Sequence, residues 1–482
     1  MENIDFGLNL DPETEGLFEK RIQNLNQAQR DKLVQALRQQ DLPRKRAILY
    51  LVKGLNPEQL EAVVHDHSTG GPLLILACAG SGKTTALTYR IIYLILQGVN
   101  PENIMAVTFT VKAAEEMRAR IREFIWEVPA LGENLLVFEE GISRMWMGTF
   151  HSICLRILKE YIGEKMNCER VGMPPGFRIL EHNYWLLKKS VEEAGVRDET
   201  VDEVLNKIDH IKSEGMDLEA FRSKARKKEA SSLKVFEIYQ KKMNMRGMVD
   251  FDDLLILTNR LFKENPDILA HYQERIQYLL VDEYQDTNYA QYVFCRLLTG
   301  QRSNLFVVGD DDQSIYAWRG ANIRNILFFE KDFPHTTRID LIENYRSTAN
   351  IISAANRVFL RSKPKRLRKV LQPVKKGGGE KIIIYHAKDE TDEADFIASR
   401  IKIFKEKYPE LDYSDFAVFY RINWQSEKIK EALARAGLNS SIYNPRFWTR
   451  HEIRDMVSYF RVLAFLSRPE GFSEVEKRRL DY

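Results

Sequence analysis

A short glycine-rich turn between an apolar strand and a helix constrains the fold of this chain most. Residues 73–79 are apolar and predict a buried strand, which runs directly into the turn 80–84, with the sequence GSGKT. The two glycines allow backbone N–H groups to converge on phosphate oxygens at the start of the next helix. Lys83 can reach the β- and γ-phosphates of a nucleotide, and the Thr84 hydroxyl can bind Mg²⁺. The alternative is a strand and helix with incidental glycines, and the adjoining Lys-Thr pair disfavours it.

Apolar runs rich in β-branched residues recur along the chain and alternate with amphipathic helical stretches. This alternation is typical of a mainly parallel α/β sheet. The runs cover 72–79, 104–110, 278–282, 304–309, 337–343, 381–386 and 415–420. Between the second and third runs, the interval 150–249 predicts helix almost throughout, which indicates an inserted helical subdomain rather than a loop. The predicted fold class is therefore α/β, with a helical insertion.

The composition fits a globular protein of more than one domain. A chain of 482 residues exceeds what one core normally organises. The net charge of +3 does not indicate a nucleic-acid binder, so any such surface has to be a local patch. Four cysteines without a C-x-x-C pair argue against a zinc site and a disulfide framework. No stretch reaches the roughly 18 apolar residues of a membrane span, so we expect a cytoplasmic protein with no membrane partner.

The apolar run at 278–282 ends in two adjacent carboxylates, Asp282 and Glu283. Two acids at a buried strand end are costly without a cation. Acids at a strand end are more often solvated turn residues, but a P-loop upstream favours a metal role. We therefore predict that Asp282 binds Mg²⁺ and that Glu283 orients an attacking water molecule.

The next apolar run leads into a polar and aromatic segment at 310–320. Gln313 could contact a γ-phosphate. Tyr316 and Trp318 could stack on bases, and Arg319 could meet a phosphate or stack in turn. The alternative places Tyr316 and Trp318 in a core, which would be preferred for either residue in isolation.

A basic run at 361–376 contains eight basic residues and no acidic one, and Gly377 to Gly379 follow it as a flexible joint. Charge runs are usually solvated linkers. A patch that tracks the phosphates of a DNA strand is the functional alternative, because the run adjoins a domain joint.

Taken together, these motifs resemble those of the UvrD/Rep/PcrA helicases of superfamily 1. The resemblance covers roughly 55–466, in the family's order. Segments similar to the family's Q motif, motifs Ia, Ib and IV, and three further matches lie at 55–59, 108–114, 148–152, 344–347, 250–255, 420–426 and 447–455.

The resemblance implies a site for ATP and Mg²⁺ and a second site for single-stranded DNA. Gln59 and Tyr345 would contact the adenine, and Arg346 the γ-phosphate. The residues implied for the nucleotide are Gln59, Ala79, Gly80, Ser81, Gly82, Lys83, Thr84, Thr85, Tyr345 and Arg346. Those implied for catalysis are Lys83, Glu283, Gln313 and Arg346, and those for Mg²⁺ are Thr84 and Asp282. Those implied for DNA are Phe109, Thr110, Phe150, His151, Tyr316, Trp318 and Arg319.

The implied fold is a RecA-like P-loop NTPase domain with a helical insertion and a partial second RecA-like domain. The implied boundaries are a helical N-terminal extension at 1–54, domain 1A at 55–149 and 250–345, subdomain 1B at 150–249, partial domain 2A at 346–466 and a tail at 467–482. Relatives continue into motifs V and VI, and neither motif occurs before Tyr482. Motif VI carries an arginine that stabilises the transferring phosphoryl group. We therefore expect this chain alone to bind Mg·ATP and single-stranded DNA, with little ATP hydrolysis and no unwinding.

The implied function is that of an ATP-dependent DNA helicase or single-stranded DNA translocase with 3′ to 5′ polarity, in DNA repair or replication. Its partners would be single-stranded DNA, junctions of single- and double-stranded DNA, and a protein that supplies the second half of the motor if it is completed in trans. A nucleotide-gated DNA-binding or regulatory module that does not unwind is the alternative. A P-loop enzyme for a small molecule is disfavoured, because Phe109, Phe150 and the segment 313–319 serve nucleic acid in the family.

Overall fold

The computed structural model describes residues 30–441 except 32, 36, 38, 39, 67–70, 129–134, 163–176, 181, 182, 198, 227, 228, 301–303, 362–366 and 368, together with 453, 456, 457, 459, 460 and 463. The chain divides into two compact units between Glu380 and Lys381. Residues 1–29 of the helical N-terminal extension predicted at 1–54, most of the segment 447–455 and Cys168 lie outside the described residues.

Strands and helices alternate through the first unit, and the last two of the helices given below belong to the second unit. The strands are β1 (Leu73–Ala77), β2 (Ile104–Thr108), β3 (Trp146–Thr149), β4 (Arg178–Ile179), β5 (Met248–Val249), β6 (Tyr278–Val281), β7 (Leu305–Gly309), β8 (Thr337–Leu341), β9 (Glu343–Asn344) and β10 (Gln372–Pro373). The helices are α1 (Leu42–Lys53), α2 (Pro57–Val64), α3 (Lys83–Leu96), α4 (Val111–Glu127), α5 (Leu135–Arg144), α6 (Phe150–Ile162), α7 (Tyr184–Ala194), α8 (Val201–Ser213), α9 (Leu218–Lys224), α10 (Ala230–Met245), α11 (Phe251–Glu264), α12 (Pro266–Arg275), α13 (Tyr289–Thr299), α14 (Arg324–Leu327), α15 (Phe329–Asp332), α16 (Ala349–Leu360), α17 (Glu390–Lys407) and α18 (Gln425–Arg435).

A six-stranded sheet organises the first unit. Its strand order is β3-β2-β6-β7-β1-β8, and every neighbouring pair is parallel. Parallel strands are normally covered by helices on both faces, which explains the continuous apolar runs. Leu73 and Ile75 of β1 pack in one core with helices α1 to α4, while Leu74 and Leu76 pack in the opposite core with α6 and α11 to α13. The predicted α/β fold class with a mainly parallel sheet is confirmed.

The interval between β3 and β6 carries a helical cluster of its own. Helices α7 to α10 share a core that includes Leu186, Ile208, Phe221 and Phe236. The described part of this interval is helical as predicted, except for the short parallel pair of β4 and β5. Strand β3 was not predicted, because its four residues include Gly148 and show no clear apolar pattern.

In the second unit, helices α17 and α18 pack through Ala394, Ala398, Ile429 and Leu433. The runs 381–386 and 415–420, which we predicted to be strands, form no strand, so those two predictions are wrong. Ile384 and Phe419, for example, are each 93% exposed. A β-strand needs a hydrogen-bonded neighbour, and the described residues of this unit provide neither run with one.

The described cysteines and helices bear on two further expectations, the absence of disulfides and of membrane spans. Cys78, Cys154 and Cys295 are buried free thiols, so the described cysteines form no disulfide. Among the residues that the structure describes, no helix has both the length and the apolar character needed to cross a bilayer.

Candidate active site

Three neighbouring strands bring the predicted catalytic residues to one edge of the sheet. Strands β6, β7 and β1 are adjacent and parallel, so their carboxyl ends meet at the same edge. The P-loop follows β1, Asp282 and Glu283 follow β6, and the segment 310–313 follows β7. The topology thus gathers groups that are more than 200 positions apart in the chain.

Both P-loop glycines are required by the backbone and by their neighbours. Gly80 and Gly82 have φ angles of 73° and 81°, in the left-handed region that favours glycine. A Cβ on Gly82 would lie 2.3 Å from Nε2 of Gln59, and one on Gly80 would lie 2.7 Å from Cβ of Arg346. Helix α3 begins at Lys83, so its unpaired N–H groups face the turn and favour an anion.

Gln59 is held against the P-loop by its own helix start. Asn56 and Gln59 form a reciprocal capping box at the N-terminus of α2. Nε2 of Gln59 donates to the backbone oxygen of Ser81 at 2.9 Å. Nδ2 of Asn56 donates to the Tyr345 hydroxyl at 2.9 Å, which connects this helix start to the segment around Tyr345. Asn56 was missed by sequence reasoning, although its position as an N-cap residue was a usable signal.

One cavity of about 490 Å³ joins these elements. It is lined by Gly54, Leu55, Asn56, Gln59, Gly80, Gly82, Lys83, Thr84, Thr85, Arg120, Tyr345 and Arg346. Of the predicted nucleotide residues, only Ala79 and Ser81 are not in its lining. The Ala79 backbone oxygen accepts from Nδ2 of Asn344, and the Ser81 hydroxyl donates to the Cys78 backbone oxygen. Arg120 was missed, since nothing distinguishes it from the other basic residues of α4.

The carboxylates after β6 suit a cation. Asp282 is 8% exposed, and burial, with a smaller contribution from Glu283, raises its pKa to about 6. A buried carboxylate of this kind is stabilised by a nearby positive charge. Carboxylate and hydroxyl oxygens are also the ligands that Mg²⁺ prefers, so Asp282 and Thr84 fit the predicted metal.

Glu283 lies at the centre of a chain of polar contacts. It adopts a φ of 49°, a conformation that non-glycine residues rarely take and that is frequent at functional sites. Oε2 of Glu283 lies 3.1 Å from Nζ of Lys83 and accepts from Nε2 of Gln285 at 2.8 Å. Oε1 of Gln285 in turn accepts from the backbone N–H of Asp310 at 2.9 Å, and the Gln313 side chain donates to the Asp310 carboxylate. Lys83, Glu283 and Gln313 therefore belong to one network, in which Gln285 and Asp310 were not predicted.

An aromatic pocket of about 590 Å³ lies beside this network. Phe109 and Tyr316 stack with ring centroids 4.8 Å apart. The Arg319 guanidinium lies 4.6 Å from the ring centroid of Trp318. Trp318 is 71% exposed, so its assignment to a core is wrong. An exposed tryptophan backed by a guanidinium offers a flat face on which a base can stack.

The other residues predicted to contact DNA also line this pocket, but in different ways. Thr110 is exposed and caps helix α4 with its side chain. Phe150 is only 5% exposed and packs edge to face against Phe294, so its ring supports the pocket wall from behind. The His151 ring packs edge to face against Phe251, and burial lowers its pKa.

The segment 250–255 caps helix α11 and forms a buried ion cluster with the helical insertion. Nζ of Lys212, from helix α8, lies 2.5 Å from Oδ2 of Asp250 and 2.7 Å from Oδ1 of Asp253. The two aspartates also form the capping box of helix α11. This buried ion cluster joins the helical insertion to the sheet domain. Nothing in the sequence apart from its charge predicted this role for Lys212.

The fold and the site define a P-loop protein with a parallel α/β sheet, a cavity at the P-loop and a separate aromatic pocket. Comparison with known proteins gives the family. The UvrD/REP helicase N-terminal domain matches residues 55–334, and the UvrD-like helicase C-terminal domain matches 339–471. The chain belongs to the UvrD/REP helicase family, which confirms the resemblance seen in its motifs.

Curated relatives agree with the family assignment. The chain is 40% identical over 427 residues to the ATP-dependent DNA helicase PcrA of Staphylococcus epidermidis, an alignment that covers 86% of this chain and 54% of the relative. The PcrA proteins of Leuconostoc citreum and Staphylococcus aureus are each 39% identical, with 89% and 86% of this chain covered and 54% of each relative. The chain thus spans about half the length of the curated relatives it matches.

Proposed function

We propose that this chain is the nucleotide- and DNA-binding part of an ATP-dependent DNA helicase that moves along single-stranded DNA. The observation that carries the proposal is the cavity in which Gln59, the P-loop, Tyr345 and Arg346 meet. Adenine would stack on the Tyr345 ring and bond to Gln59, while the phosphates lie on the N-terminus of α3. The matches to both helicase domains disfavour the alternative of a module that does not unwind.

Hydrolysis would use the network around Glu283. When the phosphates of ATP enter the cavity, Lys83 would bind them in place of the Glu283 carboxylate. The carboxylate would then be able to orient and deprotonate a water molecule. Mg²⁺ held by Thr84 and Asp282 would neutralise charge on the β- and γ-phosphates. Gln313 and Arg346 would contact the γ-phosphate and so distinguish ATP from ADP.

Single-stranded DNA would occupy the aromatic pocket. Bases would stack on Trp318 and on the Phe109–Tyr316 pair, and Arg319 would support the stack or bind a phosphate. Gln313 and Trp318 lie in one continuous segment, 313–319. This continuity supports a coupling between the bound nucleotide and the affinity for DNA.

The family resemblance also supports three further proposals: 3′ to 5′ polarity, junctions of single- and double-stranded DNA as partners, and a cytoplasmic location. The domain boundaries 1–54, 55–149 with 250–345, 150–249 and 346–466 are proposed likewise.

The proposal is tested by binding measurements on the 482-residue chain. Fluorescent ATPγS with Mg²⁺ should bind, and a labelled oligothymidylate should bind in an anisotropy assay. Lys83→Ala should lower the affinity for ATPγS by roughly tenfold or more, because it removes a charge-assisted contact to the phosphates, and should leave oligothymidylate binding intact. Lys241→Ala, an exposed lysine of α10, is the matched control. Equal ATPγS affinity in the two variants would refute the nucleotide site.

A further inference from the structure

The basic run at 361–376 contains one lysine that is neither a linker residue nor part of a surface patch. The side chain of Lys369 is 1% exposed. Its Nζ lies 2.5 Å from Oδ1 of Asp310 and 2.7 Å from Oδ1 of Asp311. Burying an ammonium is expensive unless its partners are well placed, so this is a specific contact rather than a chance approach.

Lys369 also explains the cluster of three acids that follows β7. Carboxylate oxygens of Asp310, Asp311 and Asp312 lie within 4.8 Å of one another, which is close enough to share a cation. The Lys369 ammonium already contacts two of the three carboxylates. The protein therefore supplies one positive charge to this cluster from its own side chain.

The residues around Lys369 form a strap, defined as residues 367 and 369–374, that crosses the site edge of the sheet. At one end, the backbone N–H of Leu367 donates to Oδ2 of Asp311 at 2.9 Å. In the middle, Leu371 exchanges two hydrogen bonds of 3.0 Å with the Asn356 side chain. At the other end, β10 pairs in parallel with β9, and Val374 donates to the backbone oxygen of Asn344 at 3.0 Å.

The end of the strap at β7 reaches the predicted γ-phosphate sensor. Asp310, which Lys369 contacts, also accepts a hydrogen bond from the side chain of Gln313. The backbone N–H of Asp310 donates to Gln285, whose amide group donates to Glu283. The ammonium therefore fixes a carboxylate that orients Gln313.

The end of the strap at β9 reaches the other side of the nucleotide cavity. Oδ1 of Asn344 accepts from the backbone N–H groups of Arg346 and Ser347, at 3.0 and 2.7 Å. The Asn344 side chain also donates to the backbone oxygen of Ala79, at the start of the P-loop. One short segment thus contacts residues that hydrogen-bond to Gln313 and to the backbone of Arg346, the two residues predicted to contact a γ-phosphate.

We propose that Lys369 is a positioning residue that sets the γ-phosphate sensor, and that the strap links Gln313 to Arg346 so that the two respond together to ATP. This proposal rests on the proposed function of the nucleotide cavity. Because Lys369 does not line that cavity, its loss should alter discrimination between nucleotides rather than nucleotide binding in general. ADP lacks the γ-phosphate, so the affinity for ADP should not depend on Lys369.

The test measures the affinities of Mg·ATPγS and Mg·ADP for the full chain and its variants. Lys369→Met should weaken ATPγS binding by roughly tenfold, the size expected for losing well-oriented polar contacts to a phosphate, and should change ADP binding by less than about twofold. Lys369→Arg should recover most of the discrimination, because it keeps the charge. Lys375→Ala removes an exposed lysine of the same basic run and should behave as wild type.

A thermodynamic cycle separates positioning from general damage. Gln313→Ala should lose the same discrimination, and the double variant with Lys369→Met should lose little more, because both changes disable one sensor. If Lys369→Met proves too unstable because two carboxylates lose their partner, Lys369→Met with Asp311→Asn reduces the uncompensated charge and takes its place. A folded Lys369 variant that retains full discrimination would overturn the inference while leaving the proposed function intact. A wild-type chain that binds neither nucleotide would instead refute the proposed function.

Discussion

Lys83 and Glu283 contact each other at 3.1 Å, and the proposed function assigns the two groups to different reactants. In that proposal the ammonium would bind the phosphates of ATP, and the carboxylate would orient the attacking water molecule. Their contact keeps both charges compensated before nucleotide arrives. The left-handed backbone of Glu283 points to a conformation that the surrounding network maintains.

Glu283→Gln should separate nucleotide binding from hydrolysis. The amide preserves the shape and the contact with Gln285 but cannot accept a proton from water. The slow single-turnover ATP hydrolysis expected of the wild-type chain should fall to the uncatalysed background, while Mg·ATPγS affinity stays within a few fold of wild type. Single-turnover phosphate release and equilibrium binding measure the two quantities. Unchanged hydrolysis would remove Glu283 from the catalytic residues.

Trp318→Ala should weaken single-stranded DNA binding without affecting stability. One base–aromatic stack contributes about 1–3 kcal/mol, and Trp318 is 71% exposed, so little packing is lost. Anisotropy with an oligothymidylate gives the affinity, and thermal unfolding gives the stability. Trp126→Ala provides a matched control, since Trp126 is 66% exposed on helix α4 and lies outside the aromatic pocket. A loss of thermal stability with normal DNA affinity would mean that Trp318 is structural.

At the scale of elements, the junction between α8 and α11 concentrates charge. Lys212 of α8 meets Asp250 and Asp253 at the start of α11, and Asp252 and Asp209 lie in the same electrostatic environment. One ammonium cannot compensate four carboxylates. Burial, and then the neighbouring Asp250, raise the pKa of Asp252 to about 7. This junction is therefore sensitive to pH in a predictable direction.

Asp252→Asn should stabilise the protein at high pH. Because the folded pKa of Asp252 is raised, the folded state binds a proton more tightly than the unfolded chain, and wild-type stability falls as pH rises from about 4 to about 7. The neutral amide avoids this loss. The variant should gain roughly 1–2 kcal/mol in free energy of unfolding at pH 8 and less at pH 5, as measured by urea unfolding. A gain that is equal at both pH values would show that Asp252 is not protonated in the fold.

At the scale of the whole molecule, the two units differ in how completely their predicted strands form. In the first unit, five of the apolar runs become neighbours in one sheet, and helices cover both faces. In the second unit, α17 and α18 form a small core, while the runs at 381–386 and 415–420 remain outside any described sheet. An apolar run thus becomes a strand only where the fold provides a neighbour.

The sequence by itself determined the P-loop, the strands that carry the site and the family. These signals are local: glycine is required where φ is positive, and a parallel strand buried on both faces needs a continuous apolar run. The proximity of Lys83 and Glu283 could also have been predicted from the sequence, because both motifs were assigned to the hydrolysis of the same nucleotide.

Only the tertiary structure decided which polar groups surround those motifs. Lys369 reads as one of eight basic residues in a solvated run, yet it is buried against carboxylates 58 and 59 positions away. Arg120 lines the cavity at the P-loop from an amphipathic helix, and the Phe150 ring packs against Phe294 in a core behind the wall of the aromatic pocket. The physical reason is that the free energy of burying a charge or a ring depends on partners that packing brings from distant parts of the chain.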